Sequence, residues 1–259
     1  MSNFIKFLGT AGARFVMIQQ LRSSAGTLLH LDGQTIMIDP GPGTLARCAA
    51  SRPKIDATKL DAILLTHRHV DHSTDVNVMM EAMSDGGRQK RGVLFAPEEC
   101  LEGDDPVVLR YVRNYIDRIE TLRPFSSYSI NNLRFKTAGR HKHGTETYGA
   151  IFESRLGRIA FLIDSEFFPE LIAWYAGVKL LVLNVVLVKQ REEHVIQHLC
   201  LADARCLISA IKPETAILTH FGMSMVQAKP WLLAEQLAHE TGVTVLAASD
   251  GMSFALDEQ

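Results

Sequence analysis

The chain has 259 residues, with 27 lysines and arginines against 29 aspartates and glutamates, and its formal net charge at pH 7 is −2. So balanced a charge gives no general attraction to nucleic acid or to an anionic membrane, and any recognition of phosphate has to be local. The length allows a large core, and we expect one α/β domain spanning residues 1–259.

The chain shows neither a membrane segment nor a disulfide framework. No apolar run approaches the roughly twenty residues that a spanning helix needs, and residues 1–6 do not read as a secretory signal. The cysteines lack paired spacing, so a reducing compartment and packing roles are expected. They are Cys48, Cys100, Cys200 and Cys206. We therefore expect a cytoplasmic protein.

Strand and helix signals alternate along the first half of the chain. Residues 4–8, 27–31 and 35–38 predict strands, with the turn of a hairpin at Asp32-Gly33. A helix is expected after His72, and a strand over 93–96.

The segment Asp104-Asp105-Pro106 predicts a further helix, because an acid suits the cap and proline suits the first turn. Apolar residues then recur in steps of four and are expected in the core. They are Val107, Tyr111, Tyr115 and Ile119.

In the second half, residues 148–152 and 158–163 predict strands paired around Gly157, and 180–186 predicts a buried strand. Helices are expected over 202–211 and 230–239, the latter ended by Thr241-Gly242.

Four side chains able to bind a metal lie within residues 67–72, directly after the apolar run 62–66. They are His67, His69, Asp71 and His72. In an extended backbone the two histidines at 67 and 69 point to the same side. If the chain then turns into a helix, the second pair projects toward a point beyond the first. This geometry predicts a site for two metal ions.

Other potential ligands follow apolar runs in the same way. Asp39, His67, Asp164 and His220 each come at or just after the end of a short run of strand type. Polar residues at the ends of buried strands gather along one rim of a sheet, where α/β folds keep their chemistry.

On these residues the chain resembles a metallo-β-lactamase-fold hydrolase, since five motifs of that family occur in order along nearly the whole chain. The motifs are carried by Asp39, by the cluster His67, His69, Asp71 and His72, by His143, by Asp164 and by His220. The resemblance implies a four-layer αββα sandwich, which the two strand-then-helix halves of the pattern fit.

The resemblance also implies a division of the ligands. One ion would be held by His67, His69 and His143, and a second by Asp71, His72 and His220, with Asp164 as the bridge. Asp39 would instead accept the other N–H of a ligand histidine and fix its tautomer. His141 is the alternative to His143 in the third motif, and the six-residue step from His143 to Gly149 favours His143 on family grounds. Imidazole and carboxylate ligands suit Zn²⁺, with Mn²⁺ or Fe²⁺ as alternatives.

The segment 198–204 resembles the branch that includes ribonuclease Z and cyclic-phosphate phosphodiesterases, in which a histidine before a helix faces the substrate phosphate. His198 takes that place, although Cys200 departs from the Ser or Thr that often caps the helix. The alternative is that His198 is only a polar residue at a helix start. In the expected mechanism Asp71 orients a hydroxide or accepts its proton, and His198, if protonated, donates a proton to the leaving alkoxide.

The expected function is hydrolysis of small or cyclic phosphodiesters, without strong nucleic-acid or membrane binding and with a homodimer left open. The main alternative is a carboxylic ester, lactone or thioester hydrolase of the same fold. A tRNA 3′-processing endoribonuclease is less favoured, because those enzymes resemble the chain in the metal motifs but carry an arm between the third and fourth motifs. His143 and Asp164 are only 21 positions apart here, which leaves no room for an arm.

Overall fold

A computed structural model describes residues 2–12, 14–191, 193 and 195–256. Within these residues two β-sheets face each other. In spatial order the first contains β15 (Ser253–Ala255), β1 (Phe4–Phe7), β2 (Thr27–Leu31), β3 (Gln34–Ile38), β4 (Ala62–Leu64), β5 (Val93–Ala96) and β6 (Arg118–Thr121). The second contains β14 (Thr244–Ala247), β13 (Thr215–Thr219), β11 (Leu180–Leu187), β10 (Gly157–Leu162), β9 (Tyr148–Ser154), β8 (Leu133–Arg140) and β7 (Ser127–Ile130), with β12 (Leu199–Cys200) paired to β11.

Nine α-helices lie in the described ranges. They are α1 (Phe15–Ile18), α2 (Thr44–Ala50), α3 (Val70–Ser73), α4 (Val76–Met83), α5 (Glu98–Leu101), α6 (Glu170–Trp174), α7 (Leu201–Ile211), α8 (Met223–Gln227) and α9 (Pro230–Thr241). Of these, α2, α4 and α5 pack on the outer face of the first sheet and α6 to α9 on that of the second. Two 3₁₀ helices span Ala57–Lys59 and Arg110–Tyr115. None of the helices in the described ranges is long and apolar enough to cross a membrane.

Three apolar layers hold the sandwich together. The central layer lies between the sheets and includes Phe95 from the first and Phe135 and Phe152 from the second. A second layer packs α4 through Met79 against the first sheet, and a third packs α7 through Leu207 against the second sheet. The predicted αββα sandwich is therefore confirmed.

The strands that lead to the candidate ligands are parallel to their neighbours. In the first sheet β3, β4 and β5 run parallel, and in the second β10, β11, β13 and β14 do. Their carboxyl ends therefore lie at a common edge of each sheet, where the loops are free to carry functional side chains.

The helix predicted from Asp104 is wrong. The chain is irregular there until the 3₁₀ helix Arg110–Tyr115, and Ile119 belongs to β6. The side chain of Asn77 accepts the Leu109 N–H at 2.8 Å and donates to the Val107 carbonyl at 2.8 Å. These bonds satisfy backbone groups that a helix would otherwise use.

The buried series in this segment is also shifted by one residue from the predicted stripe. It consists of Val108, Val112 and Ile116, whereas Tyr111 is 57% exposed. Of the predicted residues, Val107, Tyr115 and Ile119 are partly buried and pack against the same core cluster, so the expected core position is wrong for Tyr111 alone.

The remaining predicted strands and helices are present, with ends that differ by one or two residues. Gly242 ends α9 in the left-handed conformation, at φ 70°, as its sequence predicts. All four cysteines are free, but Cys206 is exposed and the expectation that all of them pack in the interior is wrong for that residue.

Candidate metal centre

The carboxyl ends of four strands bring the predicted ligands together. Asp39 follows β3, His67 lies three residues beyond β4, Asp164 lies two residues beyond β10, and His220 follows β13. The 67–72 segment leaves β4 extended and then enters α3 at Val70. His67 and His69 therefore precede the helix, while the next two candidates lie within it.

The first group of ligand atoms belongs to His67, His69 and His143, and these atoms lie within 4.8 Å of one another. His143 Nδ1–H donates to the carbonyl of Gln197 at 2.9 Å. With the proton on Nδ1, a neutral His143 ring has a lone pair on Nε2 that points at the other ligand atoms of the group. His143 Nε2 lies 3.0 Å from His69 Nδ1.

The second group consists of Asp71, His72 and His220, again with ligand atoms within 4.8 Å. His220 Nε2 lies 3.5 Å from Asp71 Oδ2, and His72 Nε2 lies 3.7 Å from the same oxygen. The two groups are the two sets that the sequence resemblance implied.

Asp164 lies between the groups and is 2% exposed. Its Oδ2 is surrounded by nitrogens of five imidazoles: His72 at 3.3 Å, His220 at 3.4 Å, His198 at 3.6 Å, His67 at 3.8 Å and His143 at 3.8 Å. Burial alone would raise the pKa of the Asp164 carboxyl, but the neighbouring His220, His198 and His72 outweigh it and hold that pKa well below its usual value. The acid is therefore ionised, with one oxygen directed at both groups.

Asp39 lies behind this cluster and accepts three hydrogen bonds. Its Oδ1 accepts the Thr66 N–H at 2.7 Å, and its Oδ2 accepts the Thr66 hydroxyl at 2.7 Å and His72 Nδ1–H at 2.9 Å. When the ring is neutral, as in metal binding, the proton on Nδ1 leaves the Nε2 lone pair of His72 facing the centre.

Gly41 allows the loop after β3 to approach α3 closely. A Cβ on Gly41 would lie 2.0 Å from the carbonyl oxygen of Asp71 and 2.2 Å from that of Ser24. No other residue type fits without moving the backbone that carries Asp71.

The pKa values of the candidate ligands His67 and His72 are shifted in opposite directions by their surroundings. Burial lowers the pKa of His67 well below its usual value. Burial also opposes charge on His72, but the carboxylates of Asp71, Asp39 and Asp164 outweigh it and raise the pKa of His72 well above its usual value. A cation bound by His72 would have to displace a proton, so binding there depends on pH.

The arrangement fits two divalent metal ions. Buried ligand atoms that have no hydrogen-bond partner among the described residues converge on the centre: Nε2 of His67, His72 and His220, Nδ1 of His198 and Oδ2 of Asp71. Unpaired buried polar atoms are costly, and metal coordination satisfies imidazole and carboxylate groups together. The number and kind of donors suit a pair of divalent ions without selecting one metal.

His141 does not belong to this centre. Its Nε2 lies 2.8 Å from the Tyr175 hydroxyl and its Nδ1 lies 3.3 Å from the Asp164 carbonyl oxygen, so both ring nitrogens are engaged elsewhere. The structure thus separates His141 from His143.

His198 faces the centre from the His143 side. Its Nδ1 belongs to a group with His143 and Asp164 whose ligand atoms lie within 4.8 Å. Burial lowers the pKa of His198 to about 4, so its ring is neutral near pH 7. His198 also lies just before a helix, because the two-residue strand β12 and then α7 follow it directly. Its position therefore fits both the phosphate-facing role and the helix-start alternative.

Sequence reasoning missed one residue that orients Asp164. Asn184 Nδ2 donates to Asp164 Oδ1 at 2.8 Å, which leaves Oδ2 for the centre. The available signal was a polar residue inside the apolar strand β11, at the level where the parallel neighbours β10 and β13 end.

Comparison with known proteins identifies the family. A family model described as a beta-lactamase superfamily domain matches residues 34–221. The chain belongs to this superfamily. The uncharacterized protein MJ1374 of Methanocaldococcus jannaschii is 32% identical over 259 residues, covering 97% of this chain and 94% of that protein. Ribonuclease Z of Thermococcus onnurineus is 25% identical over 178 residues, covering 65% of this chain and 51% of the enzyme. The chain thus spans about half the length of this ribonuclease Z.

Solved structures show the same fold over the whole chain. The metallo-β-lactamase fold protein YhfI from Bacillus subtilis has a TM-score of 0.79 at 16% identity, covering 98% of this chain and 99% of that one. A diphosphatase from the PhnP family has a TM-score of 0.71 at 21% identity, covering 98% and 97%. At these identities the likeness shows the fold alone. Family and site together make the chain a metal-binding hydrolase of the metallo-β-lactamase fold.

Proposed function

We propose that this hydrolase is a binuclear phosphodiesterase that acts on small or cyclic phosphodiesters, most favourably with Zn²⁺. The observation that carries the two-ion site is the position of Asp164 Oδ2, within 3.8 Å of five imidazole nitrogens. Phosphate-ester chemistry is supported by relatives named ribonuclease Z.

The proposed ligands are His67, His69 and His143 for one ion, and Asp71, His72 and His220 for the other, with Asp164 between. Two divalent ions in such a site supply a nucleophilic hydroxide at neutral pH and stabilise the charge that develops on the phosphoryl oxygens. The protein contributes fixed ligands and the groups that handle protons.

Asp71 lies with His72 and His220, whereas His198 lies with His143 and Asp164, and this separation into two groups suits separate proton-transfer roles. Asp71 Oδ2 has no hydrogen-bond partner in the described chain and can accept a proton from the attacking water. His198 is neutral in the free site, but an anionic phosphodiester beside it favours its protonated form. The ring then donates to the leaving oxygen only when substrate is bound.

The connection between His143 and Asp164 argues against a tRNA substrate. It is filled by a short loop and the hairpin of β9 and β10, which turns at Gly157. No arm projects from these fully described residues. The net charge of −2 also offers little of the phosphate neutralisation on which RNA binding depends.

The test compares substrates on one metal-loaded preparation. We expect hydrolysis of bis-p-nitrophenyl phosphate and of cyclic phosphodiesters, little turnover of a β-lactam, and loss of activity in Asp71→Asn. Asp61→Asn is the matched control, because Asp61 precedes β4 at the end away from the site and accepts the Thr35 N–H at 2.8 Å.

Two outcomes would redirect the proposal. Robust thioester or lactone turnover without diesterase activity would favour the carboxylic ester class. Efficient, position-specific cleavage of a 3′-extended tRNA under single-turnover competition would favour a processing endoribonuclease.

A further inference from the structure

A buried His141–Tyr175 pair lies outside the ligand groups and contacts Asp164 from behind. His141 is 2% exposed and Tyr175 is 0% exposed. A carbonyl oxygen can only accept, so His141 Nδ1 carries the proton that is shared with the Asp164 carbonyl, at 3.3 Å. The Nε2 of the neutral ring then accepts the Tyr175 O–H at 2.8 Å.

The backbone of His141 holds the loop that carries another ligand. Its N–H donates to the Thr147 carbonyl at 2.9 Å, and its own carbonyl accepts the His143 N–H at 3.1 Å. These two bonds close the 141–147 loop around His143. One residue therefore connects the His143 loop, through its main chain, with the Asp164 segment, through its side chain.

Gly149 leaves the space that the pair occupies. A Cβ there would lie 1.8 Å from the Tyr175 hydroxyl oxygen and 3.0 Å from His141 Cε1. Two polar rings are thus buried against a glycine. If the pair served only to fill space, apolar side chains would do so at a lower cost in free energy.

We propose that His141 and Tyr175 are positioning residues that fix the Asp164 carboxylate relative to His143 and so set the affinity of the centre for its metal ions. The proposal rests on the two-ion site of the proposed function. Tyr175 acts by holding the ring of His141, and His141 acts by holding the Asp164 main chain.

The test uses three substitutions and measures metal affinity by competition with a chromogenic chelator. His141→Leu removes both hydrogen bonds and should weaken binding of both Zn²⁺ ions by about 10- to 100-fold, the usual effect of losing a group that orients a ligand. His141→Asn keeps an N–H near the place of Nδ1 and should recover most of that loss. Tyr175→Phe removes one oxygen and should weaken binding by a smaller factor.

A double substitution separates positioning from simple stability. Because Tyr175 acts through the ring of His141, Tyr175→Phe should cause no further loss of affinity in the His141→Leu background. The matched control is Tyr128→Phe. Tyr128 is also buried, and its hydroxyl donates to the Thr121 carbonyl at 3.1 Å and accepts the Arg123 N–H at 2.7 Å. This control should lower stability and leave metal affinity unchanged.

Unchanged affinity in Tyr175→Phe and His141→Leu, with lowered stability of the metal-free protein, would overturn the proposal and make the pair a packing feature. If His141→Leu does not fold, Tyr175→Phe against Tyr128→Phe decides alone. Failure of the wild-type protein to bind two ions would instead refute the proposed function, and is read directly from the same titration.

Discussion

Replacing Asp39 by Asn should weaken metal binding without altering any proposed ligand. Asp39 has φ 48°, a left-handed conformation that Asn also adopts readily, so the backbone is preserved. The Asn amide oxygen must face the Thr66 N–H, which Asp39 Oδ1 accepts at 2.7 Å. The amide nitrogen then occupies the place of Oδ2 and donates toward His72.

This reversal changes the tautomer of His72. In the wild type, His72 Nδ1–H donates to Asp39 Oδ2 at 2.9 Å. Facing an amide N–H, Nδ1 must accept, so the proton moves to Nε2 and points at the centre. Loss of such an orienting partner typically costs about 10- to 100-fold in metal affinity, or roughly 1.4 to 2.7 kcal/mol. The ion held with Asp71 and His220 should be the weaker one.

The assay is a chelator competition titration with elemental analysis of protein purified without chelator. Wild type should hold about two ions per chain, as binuclear hydrolytic sites require. Asp39→Asn should lose one ion first, whereas Asp164→Ala should lose both, because Asp164 Oδ2 faces both groups. Asp61→Asn should match wild type. Binding of both ions by Asp39→Asn with wild-type affinity would refute the tautomer argument.

Further predictions concern stability, turnover and pH. Gly149→Ala should destabilise the metal-free protein by about 1–3 kcal/mol in urea, since its Cβ overlaps the Tyr175 hydroxyl, while Gly144→Ala, with its nearest atom at 3.6 Å, should not. His198→Ala should keep its metal ions but lose about 10²- to 10⁴-fold in turnover of diesters with poor leaving groups; wild-type rates would leave it a helix-start residue. Burial lowers the pKa of His141 from 6.5 to about 4. The stability that neutral His141 contributes to the metal-free protein should therefore be full above pH 6.5 and fall by about 3 kcal/mol as the pH drops toward 4, and the difference in unfolding free energy between wild type and His141→Asn across this range measures it.

The sequence could predict the ligand positions because each depends on local order. Asp39, His67, Asp164 and His220 come at or shortly after the ends of short apolar strands, and parallel strands place such ends together. The choice of His143 over His141 came from the family resemblance and not from local order, and the role of His141 could not be predicted at all. The side-chain partners of His141 are 23 and 34 positions away in the chain.

Two further parts of the fold were not predicted. One depends on pairing between distant segments, and the other had a local sequence pattern that indicated it. The strand β15 joins the first sheet by pairing with β1, with Phe4 opposite Ala255, and no local pattern indicates this. The hairpin of β7 and β8 could have been predicted from the sequence. Tyr128 and Ile130 alternate with exposed serines before a turn at Asn131, which has φ 52°.

The hydrogen bonds of Asp164 indicate why the metal motif alone does not determine the site. Asn184, on β11, holds Oδ1, and His141, in the loop after β8, holds the main-chain carbonyl. Only Oδ2 is left for the two groups of ligands, and it faces nitrogens from both. An acid held at both its side chain and its main chain should keep the separation of the two ligand groups constant when ions are exchanged. The proposed positioning roles place part of the metal affinity outside the motif, so substitutions at Asn184 and His141 should change how tightly ions bind while leaving which residues bind them unchanged.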